Sequence, residues 1–306
     1  MWASAPRRPA TTPPTSPTSP RSVRPCEEVT SRERRPRSPQ PHEGPAVTAV
    51  KTLVRSWLPP VVAAVVIFGG WEALLAIIRP DGFVLPPPSE IGRAVAQNWD
   101  AIVTATGVTG FIIVTGLLAG VVVGAAFALL VTAFRAANET LTPLAVAINA
   151  VPIIALAPIF NAWFGILSPR SNQAVVVVLV FFPVFVNTAR GLTQVEPSQI
   201  ELMESYGARK WRIMREVRIP NAMPFFFTAL KLATSLAVIA AIVAEYFGGR
   251  QDALGNLITN SAGLTRYDDA WAAVLAGSLV GIGLYALAVV VERLVMPWYF
   301  TARRSA

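Results

Sequence analysis

From residue 51 onward the chain alternates long apolar runs with short polar connections. Six runs approach the roughly 20 residues a helix needs to cross a bilayer. They lie at 58–78, 104–134, 141–164, 173–189, 225–244 and 270–291. The pattern predicts an all-α membrane protein with six transmembrane helices in a domain covering 51–300, followed by a cytoplasmic tail at 301–306. The third run differs from the others, because Pro143, Pro152 and Pro158 each delete a backbone donor and kink or break a helix. Non-helical backbone at membrane depth survives only where it is buried in protein or lines a wet cavity. Asn149 and Asn161 add polar groups beside those breaks. Two readings stand: Asn149, Pro152 and Asn161 line a pathway, or they form a tightly packed kink.

Residues 1–50 carry no such pattern. Of the 26 prolines, 11 fall in 1–46, interspersed with Ser, Thr and Arg. Nothing there offsets the entropy of ordering the chain, so a disordered Pro/Arg/Ser-rich tail is expected. A basic regulatory arm, or a start assigned upstream of the native one, would give the same composition.

Composition narrows the function. The chain is 53% hydrophobic and 14% charged, against about 25% charged in ordinary soluble domains, which excludes a free-standing soluble enzyme. The net charge of +8 is not a nucleic-acid signal, because eight Arg and four Glu of the first 46 residues supply half of it. Most of the rest sits in connections, where Lys and Arg set topology. With the N-terminus inside, the near-membrane cytoplasmic side holds Lys51, Arg55, Arg135, Arg190, Arg209, Lys210, Arg212, Arg215, Arg218, Arg293, Arg303 and Arg304, which is twelve. The outer side holds Arg79, Arg93, Arg170, Arg250 and Arg266, which is five. Both termini are therefore expected in the cytoplasm.

The lone cysteine and lone histidine, Cys26 and His42, both lie in the tail, so no disulfide framework, metal site or cofactor is called for. No phosphate loop exists, since none of Lys51, Lys210 and Lys231 follows a glycine. The chain is expected to be neither an enzyme nor its own ATPase. Within the runs, Gly116, Gly120 and Gly124 stand at four-residue spacing, as do Gly277 and Gly281, a pattern that lets helix backbones approach closely. Intramolecular packing is favoured over a dimer seam. Three ionisable residues fall in or beside runs. Glu72 reads as interfacial. Lys231 either snorkels to the cytoplasmic face or faces a pathway, and Glu245 is a candidate gate or docking contact.

The fourth connection, about 196–220, is too long and too patterned to be a plain link. Pro197 suits a first helical turn, and Gly207 supplies a stop in the left-handed region. A second helix from Ala208 is expected to end before Pro220. Ile200, Met203 and Tyr206 share one face of the first helix, and Trp211, Met214 and Val217 share one of the second. Lying in the headgroup layer, or simply enforcing topology, are the simpler uses of such a basic hairpin. Neither accounts for Glu201, Gly207 six residues later and Pro220 thirteen beyond that.

That spacing resembles the "EAA" loop of permease subunits of ATP-binding-cassette importers: Glu-Ala-Ala, three residues, Gly, nine residues, then aliphatic, any residue, aliphatic and Pro. Glu201, Gly207, Val217, Ile219 and Pro220 stand at the matching positions, while Leu202 and Met203 replace the two alanines. The run from Val84 to Ile91, the passage from Val151 to Gly165, and Ala244-Glu245 followed by Leu254-Gly255 are similar to the nitrate/sulfonate/taurine branch. The resemblance covers about 85–264.

It implies the fold of type I (MetI-like) importer permeases in a bacterial inner membrane. It also implies a hairpin, with Glu201, Gly207, Ala208, Arg209, Trp211, Val217, Ile219 and Pro220, seated in a groove of a separate cytoplasmic ATPase. An extracytoplasmic solute-binding protein and a second copy or paralogue complete the implied assembly. The implied cargo is a small sulfonate, taurine or nitrate, or a pyrimidine or flavin precursor. The alternative is a secondary transporter driven by an ion gradient, which predicts acid or histidine relays and inverted repeats; neither is visible.

Overall fold

The structure, a computed structural model, describes residues 45–78, 85–134 and 152–298, with side chains from Leu58 onward except at 153 and 154. The expectations for the N-terminal tail, for Pro143 and Asn149, and for 301–306 lie outside the described residues. Two units are distinguished, 1–58 and 59–306. Helix α1 is Pro45–Ile78, and all that follows concerns the second unit.

Its helices are α2 (Pro88–Gln97), α3 (Trp99–Thr132), α4 (Ala157–Phe164), α5 (Pro169–Thr193), α6 (Pro197–Ser205), α7 (Lys210–Ile213), α8 (Ile219–Phe247), α9 (Leu254–Gly263) and α10 (Tyr267–Val295). No strand occurs among the described residues. Five helical stretches there are long and apolar enough to cross a membrane: Leu58–Ile78, Trp99–Thr132, Pro169–Thr193, Lys210–Phe247 and Tyr267–Val295. The described part of the third expected run is a 3-10 turn, Ile153–Leu156, followed by the two-turn α4. The break falls beside Pro152 and Pro158, as proline chemistry dictates.

The centre of the unit is α3, α5 and α8, packed through small residues. A Cβ on Gly116 would stand 2.7 Å from that of Val176, and one on Gly120 would stand 2.9 Å from the carbonyl oxygen of Val177. The glycine stripe of α3 thus lies directly against α5. On α8 the buried face is alanine: Ala229, Ala233, Ala237, Ala240, Ala241 and Ala244. Lipid offers no hydrophobic reward for helix association, so close van der Waals contact between small residues carries it. Gly277 of α10 meets Ile242 of α8 in the same way.

One expectation is corrected. The second helix of the hairpin does not end before Pro220. Helical backbone runs unbroken from Lys210 to Phe247, through a π segment at Met214–Arg218. The Ile219 N–H reaches five residues back, to the carbonyl of Met214. This widened turn relieves the clash a proline ring makes with the preceding turn of an α-helix, and Pro220 has no N–H to leave unpaired.

Candidate functional site

The hairpin between α5 and α8 is built from local signals. Pro197 opens α6. At its end, Gly207 N–H donates to the Glu204 carbonyl at 2.8 Å and Ala208 N–H to the Met203 carbonyl at 3.0 Å. These two bonds are the Schellman closure, and it requires the left-handed φ of +70° that Gly207 adopts. A Cβ at Gly207 would meet nothing within 4 Å. Glycine is therefore needed for its backbone sign, not for space. Arg209 then turns extended and starts α7.

At the hairpin's base, the Asn221 side-chain amide donates to the carbonyls of Gly191 (2.8 Å) and Gln194 (3.0 Å), at the end of α5. Gly191 lets the two helices touch, since a Cβ there would lie 2.7 Å from the Ala222 Cα. Met214 and Ile219 pack on the buried cluster of Phe185, Leu192 and Ala222. The base is thus fixed, while the tip is bare. Leu202, Tyr206 and Trp211 are 57%, 80% and 72% exposed. Glu201, Arg209 and Pro220 are exposed as well, and Ala208, Val217 and Ile219 are half-buried. The faces expected to be shared are therefore split, Ile200 and Met203 partly covered and Tyr206 open.

The opposite end of α8 is closed by polar contacts. Glu245 is fully buried. Its Oε2 accepts from the Gly255 N–H at 2.7 Å and from the Thr109 hydroxyl at 3.2 Å. Thr109 Oγ1 in turn accepts from the Leu254 N–H at 2.9 Å. Glu245 and Thr109 together satisfy the first two N–H groups of α9, whose own N-cap, Ala253, has no side chain to do so. Within this subunit Glu245 has no face turned to the exterior. Asn161 is also buried, donating to the Phe247 carbonyl at 3.1 Å and accepting from the Ser171 hydroxyl. It joins α4 to α5 and to the end of α8. Pro152 is exposed ahead of the 3-10 turn. Glu72 takes a similar task in α1, accepting from the hydroxyl and N–H of Ser89 (2.6 and 3.2 Å) at the start of α2.

A sequence profile of the family described as binding-protein-dependent transport system inner membrane component matches residues 116–300. The chain belongs to this family. Among curated proteins, it is 34% identical to the formylaminopyrimidine transport permease protein ThiX of Halalkalibacterium halodurans, over 74% of this chain and 90% of that one. It is 32% identical to the riboflavin transport system permease protein RibX of Chloroflexus aurantiacus, over 53% and 59%. Permeases named for aliphatic sulfonate, nitrate and taurine transport also match, at 21–29% identity. In fold, the chain superposes on a crystal structure of an amino acid ABC transporter with a TM-score of 0.54 at 17% identity, covering 65% of this chain and 96% of that one.

The protein is thus an inner-membrane, multi-pass permease subunit of an ABC importer, with the MetI-like fold. Within this permease, the matched profile takes in the hairpin, Glu245 and Gly255, and begins after Thr109. Four residues of these contacts escape a sequence reading: Thr109, Asn221, Gly255 as an acceptor's partner, and Glu292, which pairs with Lys231. Asn221 adjoins the motif's proline, and Thr109 precedes Gly116 by two helical turns on one stripe. Glu292 is the sole acid of α10 after Asp269 and lies just past the last apolar run.

Proposed function

We propose that the segment 196–220 is the coupling hairpin of this permease, gripped at its tip by a separate cytoplasmic ATPase. The carrying observation is the contrast between a clamped base at Asn221 and a bare apolar tip at Leu202, Tyr206 and Trp211. Three large side chains exposed within ten residues of a polar connection suit a protein contact. Glu201, Gly207, Ala208, Arg209, Val217, Ile219 and Pro220 shape and orient that tip. Because helix continues from Lys210 to Phe247, motion at the tip acts on a membrane-spanning element without an intervening loop. ATP binding changes the equilibrium between pathway states only through the ATPase's differential affinity for the two hairpin positions.

Both termini are inside on this reading. The permease pairs with a second copy or a paralogue, and with an extracytoplasmic binding protein that delivers the solute. Of the residues expected at a pathway, Pro152 is exposed and Lys231 partly so, and these two are read as pathway-facing, whereas Asn161 is buried in a joint between helices. The cargo is a pyrimidine-type precursor, on the strength of the 34% identity to the formylaminopyrimidine permease. Sulfonates, nitrate and taurine form the second class.

The test is cysteine cross-linking from the tip. With Cys26 replaced by Ser, Tyr206→Cys is expected to cross-link to the co-expressed ATPase in membranes, and Val65→Cys on α1 is not. Cross-linking equal at the two sites would reject the hairpin. Calorimetry of the cognate binding protein against pyrimidine precursors and sulfonates decides the cargo.

A further inference from the structure

The buried carboxyl of Glu245 sits near the far end of the same helical stretch that begins in the hairpin at Lys210. Its geometry is that of a joint between elements. One oxygen holds the Gly255 N–H at 2.7 Å, and the Thr109 hydroxyl bridges it to the Leu254 N–H. Gly255 lies so close that a Cβ would stand 2.6 Å from the Glu245 Cβ and 2.5 Å from the Ile242 carbonyl oxygen. Leu254 and Gly255 are themselves buried. Glu245 and Gly255 stand ten residues apart in the chain, with Gly248 and Gly249 between them. The side chain thus spans a turn that is closed locally by the Ala253 N–H to the Arg250 carbonyl at 3.1 Å, and ties its two ends together.

We propose that Glu245 is a positioning residue of the transport cycle, a latch that fixes α9 to the end of α8 so that hairpin motion is handed on to α9. This rests on the coupling reading above and adds the element that receives the motion. Two features set the latch apart from a helix cap alone. The acceptor comes from the neighbouring spanning helix, not from the N-cap residue, so the bond joins two elements. The second joint, through Thr109, adds α3 to the same point, so that α3, α8 and α9 meet at two side chains. Buried hydrogen-bonded groups of this kind are costly to leave unpaired, so the elements move together or the bonds break.

The experiment uses the complete transporter, with its ATPase and binding protein, in proteoliposomes and in a Cys26→Ser background. Single cysteines at Tyr206 (hairpin) and Thr259 (exposed on α9) report maleimide labelling rates with and without trapped ATP. In the otherwise unaltered permease, both rates are expected to change at least about threefold on ATP trapping. With Glu245→Ala added, the Tyr206→Cys response persists, the Thr259→Cys response disappears, and uptake falls about tenfold or more. Glu245→Gln keeps an acceptor oxygen and restores at least half of the Thr259→Cys response, which a merely bulk-filling role does not require. Should Glu245→Ala fail to assemble, Thr109→Val is the substitute and weakens the same response. A Thr259→Cys response that survives in Glu245→Ala, or is absent to begin with while Tyr206→Cys responds, overturns the latch alone. A silent Tyr206→Cys overturns the hairpin reading and the latch with it.

Discussion

Lys231 on α8 and Glu292 on α10 join the two helices as an ion pair, the ammonium nitrogen 3.0 and 2.9 Å from the two carboxylate oxygens. The lysine side chain is 23% exposed and the glutamate 9%. A lone charge at the centre of a spanning helix costs roughly 2.5–3.5 kcal/mol on the insertion scale, and pairing is the usual remedy. Snorkelling, the simpler expectation for Lys231, is compatible with this bond, because Glu292 stands three residues before the end of α10.

Breaking that pair on one side leaves a charge unpaired. Lys231→Met is expected to destabilise the detergent-solubilised permease by about 3 kcal/mol, the lower end for a buried pair. The double variant Lys231→Met/Glu292→Leu is expected to recover most of the loss. Thermal midpoints of the three proteins check this, and a double variant worse than either single would count against a dedicated pair.

Gly207 is required for its backbone conformation. Gly207→Ala meets no clash but must hold φ at +70°, which costs roughly 1–2 kcal/mol for an L-residue. Gly207→Pro cannot adopt that φ and also loses the donor to the Glu204 carbonyl. Both are expected to insert normally. Pull-down of the co-expressed ATPase should weaken for Ala and vanish for Pro; undiminished recovery with Pro would argue against the hairpin as the contact.

At the hairpin's base, Asn221→Ala removes both bonds to the end of α5 and exposes two carbonyls to solvent or leaves them unpaired. A loss of about 1–3 kcal/mol is expected, confined to the hairpin. Limited proteolysis should then cut between Pro197 and Arg218 several times faster, with the spans intact. An unchanged rate would mean that packing of Met214 and Ile219 suffices without the amide.

The glycine stripe makes a positional prediction. Gly120→Ala brings a Cβ to 2.8 Å from Val180 Cγ1 and 2.9 Å from the Val177 carbonyl oxygen, and a backbone atom cannot swing away. Overpacking of this kind costs about 1–3 kcal/mol. Gly110→Ala, on the same helix with nothing within 4 Å, should be neutral or slightly stabilising. Thermal midpoints again decide, and equal effects at the two glycines would mean the helices can part.

Much of this was legible in order along the chain. Apolar runs mark the spans, Pro197 and Gly207 mark the start and stop of α6, and four-residue glycine spacing marks the α3 face against α5. What periodicity cannot supply is a partner. Lys231 and Glu292 are 61 residues apart, and Thr109 and Glu245 are 136 apart. Each lies on a legible helix, yet the pairing depends on how helices are arranged around one another. Pro220 misleads for a different reason. Read locally it stops a helix, whereas the π segment before it, held by Met214 and Ile219, carries the helix past it. The spacing of Ala244-Glu245 and Leu254-Gly255 is the one far contact that left a mark, as residues ten apart that meet as acceptor and donor.

The central claim is that this permease is a gate moved from its cytoplasmic hairpin by another protein's nucleotide cycle. Solute uptake by proteoliposomes tests it most directly, with the permease reconstituted alone and then with its ATPase, binding protein and ATP. Accumulation against a gradient only when all components are present is the predicted result. Uphill accumulation by the permease alone, driven by a proton or sodium gradient, would contradict it.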